Sequence, residues 1–214
     1  MADTVAKPSL DTICVSSQTV AMSKAPPRKK KKPMDRAQLK ALAKVRALIS
    51  EIAGRDSNEA ETSDRVKTVF TEILGYDRFR HITHEHAVRN PGSTDHVDLA
   101  VTLEEGKHAK PVILVEVKRV NYDLSHKHIK QASTYAIQTG CNWVVLTNAR
   151  HWMLYHIEFL QPPEPKLIEQ WSLLDGDPAA VLKKFRLISY KSTRDSRSTI
   201  FVEMGERDWL PPVL

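Results

Sequence analysis

The amino-acid sequence predicts an α/β fold in which helices flank a mixed sheet, and three observations carry that reading. Apolar residues recur every three or four positions through 35–74 and every second position through 79–120. A further helical pattern at 123–139 then precedes strand-like runs at 143–146, 152–159 and 166–173. Helix, three strands, helix, strand, strand is the order of a sheet with covered faces.

The first helix, Asp35 to Ala53, carries Leu39, Leu42, Val45, Ile49 and Ile52 on one stripe after an Asp cap. Gly54 to Ser57 interrupts it. A second helix runs to Leu74 on Val66, Val69, Phe70 and Ile73, and Gly75 supplies the left-handed stop. Three strands follow, Phe79–Arg89, His96–Leu103 and Pro111–Val120, with turn residues at Asn90–Ser93 and Glu104–Lys107, so antiparallel pairing is expected. Asp123–Thr139 reads as a helix with Ile129, Ala132, Tyr135 and Ala136 on one face, closed by Gly140. The apolar run Trp143–Leu146 reads as a strand buried on both faces. Two strands around Gln161–Pro165 and a helix from Pro178 to Leu187 complete the body. From Ser189 the pattern is weak, with a strand expected at Thr199–Glu203. The expected organisation is a disordered basic tail at 1–34, a domain at 35–188 and a C-terminal extension at 189–214.

The chain has 214 residues, enough for one sizeable core, and a formal charge of +6. Residues 1–33 hold seven Lys or Arg against Asp3 and Asp11, a net +5, which leaves +1 for the rest. The body is therefore near neutral, and total charge does not argue for nucleic acid. The run Arg28–Lys32 reads as a solvated linker, as a non-specific phosphate contact or as a nuclear address. Cys14 and Cys141 lack partners at zinc-ligand spacing and give no reason to expect a disulfide, so a reducing cytoplasm is the expectation. No stretch has the length of a membrane span.

Chemistry concentrates at Glu116 and Lys118, two positions apart in the apolar run 111–120. A strand aims both to one face. Charge in so apolar a segment needs compensation, and a divalent cation compensates clustered carboxylates. Asp98, in the strand-like run Val97–Val101, offers a second acid. Acids on adjacent strands with a lysine beside them suit a metal-dependent phosphodiesterase, in which the cation activates water and the amine orients it or stabilises the transition state. The same residues also read as cross-strand ion pairs on a solvated face.

Further features lie at compatible spacing. Glu59 begins the second helix, seven residues before Val66 and so on its inward face, whereas Glu61 points to solvent. Gln131 and Tyr135 stand one helical turn apart. Leu146, Thr147 and Asn148 end a strand, and Trp152 to Tyr155 open the next. In this ordered set, from about Asn58 to Ile157, the chain resembles the PD-(D/E)xK nucleases, and within them the N-terminal nuclease domain of the type I restriction enzyme R subunit (HsdR). The resemblance implies a restriction-endonuclease-like three-layer sandwich with a central mixed β-sheet flanked by helices. It implies Glu59, Asp98 and Glu116 as ligands of Mg²⁺, with Mn²⁺ as a substitute. It further implies Asp98, Glu116 and Lys118 as catalytic residues, with Gln131 and Tyr135 positioning site and DNA. The expected activity is endonucleolytic cleavage of double-stranded DNA by metal-activated water. Expected protein partners are a separate motor or specificity subunit and a second copy of the chain.

The sequence departs from that pattern in three places. Val97 replaces the Pro before the acid, Ala149 replaces the Gly that commonly follows Thr-Asn, and no nucleotide-binding Gly-rich loop is present, so ATP-driven translocation does not carry over. A catalytically silent DNA-binding or assembly module and an RNA or repair nuclease are the alternatives. His84 and His86 share a strand face and could hold a transition metal, a role the family does not offer. Ser125 and Ser133 lack a base and its orienting group, which argues against nucleophilic catalysis.

Overall fold

The computed structural model describes residues 36–90, 93–103, 109–160 and 162–195, and the side chains within them apart from those of 85–90, 93–95 and 131. The basic run 28–32, Cys14, most of the two turns at 90–93 and 104–107, and the strand expected at 199–203 lie outside the described residues.

In chain order the elements are α1 (Arg36–Gly54), α2 (Glu59–Glu72), β1 (Ile82–Asn90), β2 (Ser93–Val101) and β3 (Ile113–Val117). A 3-10 turn (His126–His128) runs into α3 (Ile129–Thr139). Then follow β4 (Trp143–Thr147), β5 (His151–Glu158), β6 (Glu164–Ser172), α4 (Pro178–Phe185), a second 3-10 turn (Arg186–Ile188) and α5 (Tyr190–Asp195). The six strands form one sheet in sequence order. Pairing is antiparallel except between β3 and β4, which run parallel because α3 carries the chain back across the sheet.

Alternation along the strands divides the core between two faces. Ile113, Val115 and Val117 of β3 join Leu42, Val45 and Ile49 of α1, Val66, Val69 and Phe70 of α2, and Leu182 and Phe185 of α4. Leu114, Val144, Leu146 and Tyr155 pack on the other face against Ile129, Ala132, Tyr135 and Ala136 of α3. Helices therefore cover both faces of a mixed sheet in three layers, as the sequence predicts. Under α4, Trp152 stacks on Trp171 at 6.2 Å, and Phe185 meets both rings edge-on at 5.0 and 5.2 Å.

Local chemistry moves several expected boundaries. Phe79, expected to open the first strand, stands in a turn and is 92% exposed. The Asp77 carboxylate accepts the amides of Phe79 and Arg80 at 2.9 Å each, and this competes successfully with strand extension. Asp123–Ser125 precede the helical turn rather than joining it. The weakly patterned segment after 189 forms α5: Tyr190 stacks on His81 at 4.8 Å, and Thr193 shares a 2.9 Å hydrogen bond with the Tyr76 hydroxyl.

Among the described residues, β6 is an edge strand. The Ile157 amide donates to Asn142 on the far side, so the Ile157–Pro165 pair is not hydrogen-bonded and the Pro165 nitrogen faces outward. Between α3 and β4, Cys141 is 2% exposed and burial pushes its thiol up to about 11. Iodoacetamide at pH 8 is expected to leave Cys141 unmodified in the native protein and to label it in urea, as mass spectrometry of the peptide would show.

Candidate active site

Glu116 shares the parity of Leu114 and so faces the α3 side of the sheet, in a strand whose five residues are all buried. Its side chain is buried within the fields of Lys118, Asp98 and Glu59. Lys118, two residues on, donates from Nζ to Glu116 Oε1 at 2.6 Å. Leu99 pairs with Val115, so the next residue, Asp98, falls opposite Glu116. Asp98 Oδ2 accepts the Val117 amide at 2.7 Å, capping the end of β3 with a carboxylate. The sheet thus brings Asp98, Glu116 and Lys118 together.

Their electrostatics follow from depth. Burial pushes the Glu116 carboxyl above the ordinary glutamate range, Asp98 and Glu59 push it further, and the Lys118 hydrogen bond and charge offset this in part. Burial pulls the Lys118 ammonium down, yet the bond to Glu116 and the charges of Glu116, Glu59 and Asp98 outweigh it, and its pKa stands above the usual lysine value. Three carboxylates and one ammonium leave a formal charge of −2, which one divalent cation would cancel.

Glu59 is placed less deeply than expected. It begins α2 and is exposed, because the buried positions of that helix start at Thr62. It acts on Glu116 and Lys118 through its field. Glu61, expected to point to solvent, is instead half-buried and less exposed than Glu59, and Arg55 binds it at 2.7 Å. Among the described residues, no three His, Cys, Asp or Glu side chains gather closely enough to hold a metal ion by themselves. A Mg²⁺ site of one or two carboxylates completed by water and phosphate needs no third, so the donor set fits that ion and not a fully protein-caged metal. His84 is exposed, and the His86 side chain is not described.

Tyr135 is buried in the core under α3. The Gln131 side chain is outside the described set, so the structure gives the helix position of the pair alone. The Thr147–Asn148 motif builds the β4–β5 turn. Asn148 Oδ1 accepts the amides of Arg150 and His151 at 3.1 and 2.7 Å, and its Nδ2 donates to the Tyr122 carbonyl at 2.8 Å. Ala149 sits at φ 68°, the left-handed conformation that explains why glycine suits this position. Trp152 Nε1 donates to the Ala149 carbonyl at 2.8 Å, and the Tyr155 hydroxyl meets His126 Nδ1 at 3.2 Å.

A family model described as the type I restriction enzyme R protein N terminus matches residues 59–166, which span α2 to the start of β6. The chain belongs to that family. The match takes in Glu59, Asp98, Glu116, Lys118, Gln131 and Tyr135, and the three-layer sheet is compatible with a restriction-endonuclease-like fold. No curated protein matches the chain. A chain from a DrdV–DNA complex solved by cryo-EM is similar at 12% identity, covering 71% of this chain and 99% of that one, with a TM-score of 0.44.

Further bonds hold the loop that follows Lys118 in this R protein N-terminal domain. Arg119 forms an ion pair with the Asp56 carboxylate and donates to the Asp56 carbonyl at 3.1 Å. Asn121 donates to the Ala53 carbonyl at 2.9 Å, and Arg150 donates to Asn121 Oδ1 at 2.7 Å. These bonds tie the loop after Lys118 to the α1–α2 turn, three residues before Glu59. No sequence spacing announces them, since Arg119 and Asp56 are 63 residues apart.

Proposed function

We propose that the chain is a Mg²⁺-dependent DNA endonuclease module of the PD-(D/E)xK type, and that its DNA is double-stranded. The observation that supports this reading most is the buried Glu116 facing Asp98, with Lys118 at 2.6 Å. Asp98 and Glu116 would hold the ion, with Glu59 acting directly or through water, and Mn²⁺ would substitute. When bound, the ion supplies an acidified water and screens the charge of the phosphate. Lys118 keeps its proton at neutral pH and can turn from Glu116 to the attacking water or to a phosphate oxygen, where its charge opposes the charge that builds up. Gln131 and Tyr135 hold the site, and the exposed Lys127 and Lys130 beside them meet the backbone of the DNA. A separately encoded motor or specificity subunit and a second copy of the chain are the proposed protein partners. No described helix is long and apolar enough to cross a membrane.

The test is supercoiled-plasmid cleavage with and without Mg²⁺, comparing the wild type with Asp98→Asn. Asparagine still accepts the Val117 amide, so the fold is expected to persist while cleavage falls at least about a hundredfold. Wild-type cleavage by this variant would remove the assignment.

A catalytically silent module is the second reading, favoured by the Lys118–Glu116 ion pair, which compensates the buried carboxylate without a cation. Mn²⁺ titration separates the two. Proton and cation compete for Glu116, whose pKa is raised, so the thermal shift caused by Mn²⁺ is expected to grow as pH rises above the ordinary glutamate range. A flat, zero shift at every pH would favour the silent module.

A further inference from the structure

A cleft of about 560 Å³ opens between the loop before α3 and the β5–β6 hairpin, lined by Asp123, Leu124, His151, Met153, Gln170 and Ser172 together with Trp152 and Trp171. That volume lies within the range of small-molecule sites. We propose that it is a base pocket, taking one unstacked nucleobase of the DNA whose phosphodiester lies at Asp98, Glu116 and Lys118. The inference rests on the nuclease reading and goes beyond it.

Three observations carry it. The first is register. Glu116 pairs with Leu146, Leu146 with Met153 and Met153 with Gln170, so one row across the α3 side of the sheet joins the acids to the cleft. At about 4.8 Å per strand, Met153 and Gln170 stand roughly 10 and 14 Å from Glu116. That span equals roughly three to four nucleotides at the B-form rise of about 3.4 Å.

The second is charge. Among the described residues, the lining holds the Asp123 carboxylate and no lysine or arginine. A phosphate is therefore repelled, whereas a base carries no charge and offers N–H groups that a carboxylate accepts. The cations Lys127 and Lys130 lie just beyond Asp123 in sequence, exposed at the start of α3, where they can take the phosphates on either side.

The third is the division of the walls. Leu124 and Met153 are partly buried against the core under α3 and present an apolar surface to a ring face, to which the thioether adds a favourable sulfur–aromatic contact. Gln170 and His151 are exposed and bring both donors and acceptors to the ring edge. Ser172 is committed elsewhere, its hydroxyl donating to Asp175 Oδ2 at 2.7 Å. Apolar faces with a mixed polar rim match a base taken out of its stack.

The experiment uses the full chain in the cleavage-poor Lys118→Ala background, bound to duplex DNA carrying 5-iodouracil in place of thymine, irradiated, digested and read by mass spectrometry. Cross-links at His151 or Met153 are expected. They should fall at least fivefold with Gln170→Ala, and with Gln170→Trp, which fills the cleft from an exposed position. DNA retained with cross-links confined to other surfaces, or unchanged by both Gln170 variants, overturns the pocket and leaves the nuclease reading standing. Failure to retain DNA at low salt overturns both.

Discussion

Lys118→Ala is expected to lower Mg²⁺-dependent plasmid cleavage by about 10²–10³-fold while leaving Mn²⁺ binding measurable by calorimetry. The two readouts part because Lys118 and the cation act on different species. On the proposed reading Glu116 and Asp98 would hold the ion, and removing the amine takes away a competitor for Glu116 Oε1, so affinity for the ion is expected to be retained or to rise. Cleavage falls because the charge that develops on the phosphate loses an opposing ammonium. The variant leaves Glu116 buried beside Asp98 without its lysine, which drives the carboxyl further above its ordinary range and shifts ion binding to higher pH. A variant that loses ion binding and cleavage together would mean that Lys118 merely keeps the carboxylates in place. Full activity would show that the Glu116–Lys118 pair is an ordinary strand ion pair.

Asn148→Ala is expected to cost about 3 kcal/mol, because three hydrogen bonds lose one partner each and two of the abandoned groups are amides in a tight turn. Asn148 is 2% exposed, so water does not readily replace the side chain. With a slope of about 1–3 kcal/mol/M, the urea midpoint should drop by roughly 1–3 M. The variant also frees the Tyr122 carbonyl, and with it the loop between Lys118 and α3. Its cleavage rate should fall even under conditions where the domain is folded. A midpoint unchanged within about 0.3 M, the precision of such curves, would show that the turn forms without this side chain.

Most of the fold was legible because its elements are long and strongly periodic. The stripe Leu42, Val45, Ile49 and Ile52 identified α1, and the apolar run around Trp143–Leu146 identified a strand buried on both faces. Asp98, Glu116 and Lys118 could be read from position because a period of two fixes which strand residues share a face. Glu59 was read from the same kind of rule and came out more exposed, since periodicity gives a direction and says nothing about where the core ends. Phe79 misled because strand propensity was weighed without the Asp77 carboxylate two residues before it. The Arg119–Asp56 pair and the cleft at Met153 and Gln170 depend on long-range register. The parallel step from β3 to β4 sets how the cleft lines up with Glu116, and no local pattern encodes it.

The outward-facing nitrogen of Pro165 has a bearing on assembly. A proline offers no hydrogen there, and Glu164, Lys166 and Glu169 add charge along the same margin, so an incoming extended segment would meet a gap and an ion before it could zip on as a seventh strand. Any motor subunit or second copy that joins at this end must grip side chains rather than main chain. At this edge, copies of the domain can lie side by side without joining their sheets.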